Sequence, residues 1–95
     1  MKLIRIEESP ITGKKWRAIF RDGDKKIHTD FGASGYKDYT QHHDTDRRRL
    51  YRERHQKDLA TRDPTRAGYL SYYILWGDST DIRNNILSYK KKFSL

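Results

Sequence analysis

KWRAIFRDGDKKIHTDF, residues Lys15 to Phe31, alternates apolar and polar side chains on both sides of an Asp-Gly pair. Trp16, Ala18 and Phe20 share one face of its first half, with Arg17 and Arg21 on the other, the period of a half-buried strand. Asp22-Gly23 supplies the positive-φ turn that a tight hairpin needs. A returning strand is therefore expected over Lys26 to Phe31. Upstream, KLIRIE places Ile4 and Ile6 on one face, and ESPITGK carries Pro10 and Gly13, which favour a turn. Residues 1–31 thus predict a three-stranded antiparallel meander with one apolar face. Such a sheet requires a cover.

The rest of the chain supplies helical candidates. A glycine-punctuated loop is expected over 32–43, followed by a helix from an Asp44 N-cap to about Lys57. A second helix is expected from Asp63-Pro64, because aspartate caps and proline fits the first helical position, to just before Gly77. A third, from near Asp78 or Ser79 to the C-terminus, carries Ile82, Ile86, Tyr89 and Phe93 as a stripe. Lys90 to Lys92 fall at the negative end of its dipole. The expected fold class is α+β, a β-meander over 1–31 covered by three helices over 44–95, in one compact domain of residues 1–95.

Composition limits the partners. Of 95 residues, 34% are hydrophobic and 36% charged, so a small core has to draw on the 13% that are aromatic. The net charge of +8 attracts anions, whether nucleic acid, acidic protein or an anionic membrane. With no cysteine, disulfides and thiolate metal sites are excluded. The longest apolar run, YYILW, is far too short to span a bilayer, and a soluble intracellular protein is expected. Membrane-surface binding ranks below the other partners, because neither terminus shows a basic amphipathic helix free of core duties.

The middle helix has two apolar faces. Ala67, Leu70 and Ile74 define one, and Tyr69, Tyr72, Tyr73 and Trp76 define another nearly opposite. The aromatics either pack between sheet and C-terminal helix or serve as an interface, since tyrosine and tryptophan dominate hot spots. A homodimer through this face is one form of the second reading.

Two polar clusters remain. His42, His43, Asp44 and Asp46 have metal-ligating atoms, but adjacent histidines diverge in regular structure and no HExxH spacing is present. Asp44 as a helix cap accounts for the cluster; no metal, cofactor, small-molecule substrate or catalytic constellation is expected. On the basic helix, Arg48, Arg49 and Arg52, joined by Lys57, are expected to face outward and meet phosphate or an acidic surface. Arg47 and Arg54, on the face of Leu50 and Tyr51, are expected to approach the core and find carboxylates or carbonyls, with Asp30, Asp38 and Asp63 as candidates.

FGASGYKDYTQHHD, RRRLYRERH, DPTRAGYLSYYILW and NNILSYKKKF together resemble a family of short basic proteins of large nucleocytoplasmic DNA viruses of algae and amoebae. The resemblance runs from Phe31 to Leu95. That family commonly carries a further tryptophan where this chain has HQKDLATRD, and it transfers no catalytic residue. It implies a compact viral module, present in the virion and in host cytoplasm or nucleus during infection. The favoured expectation is a non-enzymatic virion component docking on acidic capsid or core proteins through Tyr72, Trp76 and exposed arginines. The alternative is sequence-independent binding of double-stranded DNA in genome packaging or replication.

Overall fold

The alternating segments form strands β1 (Lys2–Glu8), β2 (Lys14–Asp22) and β3 (Lys25–Ala33), in the order β1-β2-β3, in a computed structural model that describes residues 1–95. Both pairings are antiparallel. Register aligns Leu3 with Phe20 and Ile27, Ile6 with Ala18 and Thr29, and Trp16 with Phe31. These rows make the inner face. A bulge between Leu3 and Arg5 inserts one residue into β1, so Leu3 and Ile6 point inward three positions apart and Ile4 is left 46% exposed. The expected Ile4/Ile6 face is corrected accordingly. The outer face buries Ile19 but is otherwise largely polar: Arg17 forks onto Asp30 at 3.0 and 3.1 Å, and the Ser9 hydroxyl donates to the same carboxylate at 2.6 Å.

Helices cover the inner face, giving an α+β fold. α1 (Tyr39–His42) lies inside the stretch expected to be a loop. Asp38 caps it by accepting from the Thr40 N–H, and the Gln41 side chain returns to the Asp38 N–H, a capping box built from D-x-x-Q. Asp44 caps α2 (Thr45–His55) by accepting from the Asp46 and Arg47 N–H groups, as its position predicts. α2 stops at His55 rather than Lys57, and the chain tightens into a 3₁₀ segment, Gln56–Thr61, closed by Arg62 at φ +54°.

The middle helix begins later than expected. Asp63 does not cap it; its carboxylate accepts from the N–H and hydroxyl of Thr65 in a turn, and α3 spans Ala67–Leu70. It continues as a π-turn over Ser71–Leu75, closed by the Trp76 N–H donating to the Ser71 carbonyl at 3.0 Å. A π-turn inserts a residue and so resets the helical phase. Tyr69, Leu70, Tyr72, Ile74 and Leu75 are consequently all buried, which no regular helix would achieve with one face. α4 (Ile82–Lys92) is capped by Asp81, three residues beyond the expected start.

One apolar cluster joins the layers: Leu3, Ala18, Phe20 and Phe31 from the sheet meet Leu70, Ile74, Leu75 and Tyr89 from the helices. Leu95 tucks into it, and its carbonyl accepts from the Leu3 N–H at 3.3 Å. Two buried polar groups orient the helices. The Tyr89 hydroxyl donates to the Pro64 carbonyl, and the Asn85 amide donates to the Ile74 and Ser79 carbonyls while accepting from the Ser79 N–H. Removing an amide that satisfies one buried and two part-buried backbone groups leaves them unpaired. Asn85→Ala is expected to cost about 2–4 kcal/mol in urea denaturation, with the denaturant slope unchanged.

Candidate functional site: a basic pocket beside the second helix

A pocket of about 520 Å³ opens between the β3–α1 connection and α2. Its depth is apolar and aromatic: Leu50, Tyr51, Leu75 and Trp76 line it. Trp76 stacks on Tyr51 with centroids 4.2 Å apart and planes 5° from parallel, and Tyr51 stacks in turn on His55 at 4.1 Å. His42 closes the far side of Trp76 at 5.2 Å. The ladder His42, Trp76, Tyr51, His55 therefore shows the pocket mainly ring edges. Gly32, at φ +83°, lets β3 approach closely, since a Cβ there would stand 2.9 Å from Leu75 Cδ1.

The polar groups divide into paired and unpaired. Lys15 donates to Asp38 at 2.7 Å and to Gln41 at 2.6 Å, so this buried carboxylate is spent on a lysine and a helix cap. His55 Nδ1 lies 3.0 Å from Asp58. Lys37, Arg47 and Arg54 also line the pocket, and none of them makes a salt bridge or a side-chain hydrogen bond. Burial, with Asp58 nearby, pushes the Tyr51 phenol up to about 12, against a smaller opposing effect from Ser71. Burial, reinforced by the Arg47 charge, holds the His42 imidazole below its ordinary value.

Only part of the expected anion patch is free. Arg48 donates to the Gly77 carbonyl and to Asp78, each at 2.7 Å, and Arg52 donates to the Tyr72 and Trp76 carbonyls at 3.1 and 2.7 Å. The Arg52 guanidinium also lies 4.0 Å from the Tyr72 ring centroid. These two are the arginines that turn inward, against expectation, because the open carbonyl end of the π-terminated helix attracts cations. Arg49 stays exposed and pairs with Glu53, and Lys57 is exposed on the 3₁₀ segment. Arg47 and Arg54 share a face with Leu50 and Tyr51 as expected, but they border the pocket unpaired. The carboxylates expected for them are taken: Asp30 by Arg17, Asp38 by Lys15, and Asp63 by Thr65 and Arg66.

Of the four candidate interface aromatics, Tyr69 and Tyr72 are buried and Tyr73 and Trp76 half-buried. Tyr69 donates to the Leu59 carbonyl, Tyr72 is buried under Arg52, Tyr73 packs among Tyr69, Tyr89 and Phe93, and Trp76 sits in the ladder. All four make packing contacts within the chain. His42, His43, Asp44 and Asp46 serve local structure: His42 Nδ1 accepts from the Asp44 N–H, and no group of three His, Cys, Asp or Glu converges to hold a metal. No helix is long and apolar enough to cross a membrane. Tyr36 and Lys37, absent from the candidate residues, stand at the pocket rim. Their signal was the aromatic-cation pair in GASGYK, in a stretch with no apolar periodicity to claim it.

The structure thus sets a basic pocket floored by aromatics on a helix-covered meander. The chain belongs to a family of unknown function (DUF5754), matched over residues 4–55. That segment runs from β1 to the end of α2, so it contains Tyr36, Lys37, Arg47 and Arg54 but not Trp76. It overlaps the stretch on which the viral resemblance rests at residues 31–55. No curated protein and no solved structure matches the chain.

Two outcomes follow from this geometry. Arg52→Gln, which uncaps two carbonyls beside an aromatic ring, is expected to lower stability by about 1–3 kcal/mol in chemical denaturation, whereas Arg54→Gln changes it by less than about 0.5 kcal/mol. Tyr51 also predicts alkaline sensitivity. Its folded-state value is raised, so its contribution is complete below the ordinary value of 10.0 and is lost as pH climbs toward about 12. The denaturation midpoint is expected to fall across that window, less steeply in Tyr51→Phe.

Proposed function

We propose that the protein is a non-enzymatic basic module that binds nucleic acid through the phosphate backbone at the mouth of this pocket. One observation carries the reading: Lys37, Arg47 and Arg54 converge on a concave surface without carboxylate partners, while Lys15, Arg17, Arg48 and Arg52 are paired or capping. Unpaired cations around a concavity concentrate positive potential, and arginine forks match phosphate oxygens. The non-enzymatic reading is supported by Asp38, the pocket's buried carboxylate, which is held by Lys15 and its capping bonds.

A second reading, docking on an acidic capsid or core protein, uses the same cations and gains an apolar contact from Leu50, which is 42% exposed. It is the weaker one, because Tyr72 and Trp76, its intended anchors, are engaged internally. The viral setting, in genome packaging or replication and in host cytoplasm or nucleus, rests on the motif resemblance alone.

Replacing Lys37, Arg47 and Arg54 together by glutamine is expected to weaken DNA binding and to reduce the log–log salt slope by about two for a single strand. Fluorescence anisotropy across a salt series measures both. An unchanged slope would remove the phosphate role, and release of the DNA by a small excess of an acidic protein would favour the second reading.

A further inference from the structure

We propose that the pocket takes one unstacked base of a single-stranded nucleic acid, with Tyr36 closing over it and Lys37, Arg47 and Arg54 holding the flanking phosphates. This rests on the proposed nucleic-acid function and specifies its ligand.

Tyr36 is the first reason. Of the twelve phenylalanine, tyrosine and tryptophan residues, it alone is exposed, at 78%, in a protein that otherwise draws its aromatics into the core. It lines the pocket next to Lys37 and is not among the stacked rings. A free aromatic face beside cations is what a strand-binding site offers to any base, because every base has a π-face.

The interior is the second reason. About 520 Å³ lies within the range of small-ligand sites, whereas phosphate contact alone needs no cavity. Leu50, Leu75 and the edges of Tyr51 and Trp76 make an apolar floor, with the Ser71 side chain beside them as a polar group. The faces of Tyr51 and Trp76 are already covered by each other and by His55 and His42. Stacking is thus left to Tyr36, and the floor supplies enclosure. A duplex keeps its bases paired and would reach only the rim cations. An acidic peptide would satisfy those cations but has no flat group to place between Tyr36 and the floor.

The test compares a fluorescently labelled single-stranded oligonucleotide with a strand of the same length and charge carrying abasic sites, using the full chain at low salt. The intact strand is expected to bind about tenfold more tightly. Tyr36→Ala should erase that difference and Tyr36→Trp should restore it. Both changes fall on an exposed side chain, so circular dichroism should be unaltered. Equal affinity for intact and abasic strands would overturn the base pocket while leaving backbone binding in place. A difference that survives Tyr36→Ala would move the base away from this site. Preference for a duplex of the same sequence would overturn the proposal as well. Failure to bind any of these strands, with binding to polyglutamate instead, would overturn both the pocket ligand and the nucleic-acid function.

Discussion

The open carbonyl end of the π-terminated middle helix is the constraint on which the helical layer depends. Its last turns leave the carbonyls of Tyr72, Ile74, Trp76 and Gly77 facing neighbouring elements, and each is met by a side chain from elsewhere in the sequence: Arg52, Asn85 and Arg48. Buried backbone acceptors left unpaired are costly, so these donors tie α2 and α4 to α3 more specifically than apolar contact could. Gly77 is part of the same device. A Cβ there would overlap the Tyr73 carbonyl and press on the Asn85 amide. The chain can leave the helix at this point only without a side chain.

The pocket is a consequence of that arrangement. Once Arg48 and Arg52 are drawn to the carbonyls, the neighbouring face of α2, with Arg47, Leu50, Tyr51 and Arg54, turns toward the β3–α1 connection. Tyr51 then meets Trp76, delivered by the end of the π-turn, and the stacked pair becomes the wall of a cavity. Asp38 closes the opposite side by capping α1 and holding Lys15. The three remaining cations make no salt bridge, while Asp38 holds Lys15, Asp58 lies against His55 and Glu53 pairs with Arg49.

Aromatic side chains make so small and polar a chain foldable. Tyr69, Tyr73, Tyr89 and Phe93 pack edge to face or tilted at centroid distances of 4.8–6.1 Å, which gains large buried area from few residues. Their hydroxyls are then used as structural donors, Tyr89 to Pro64 and Tyr69 to Leu59, across the junction between the 3₁₀ segment, α3 and α4. Burial accordingly holds the Tyr89 phenol well above its ordinary value. The three tyrosines and one tryptophan that look like an interface, Tyr69, Tyr72, Tyr73 and Trp76, make up for a core with few aliphatic residues.

The sequence by itself determined the meander, the Asp44 cap and the α+β class, because strand alternation, Asp-Gly turn chemistry and caps are local and act within a few residues. It also determined that Arg47, Leu50, Tyr51 and Arg54 share a face, which helical periodicity alone dictates. Only the tertiary structure decided the rest. The bulge that turns Ile4 outward answers to pairing with β2, and the π-turn answers to the simultaneous burial of Tyr72, Ile74 and Leu75. Which arginines are free depended on where the carbonyls of residues 72–77 lie in space, some 20 to 30 positions along the chain. The periodicity of α2 is too weakly apolar to orient it, so charge and hydrogen bonding with distant backbone settled its rotation and, with it, the pocket.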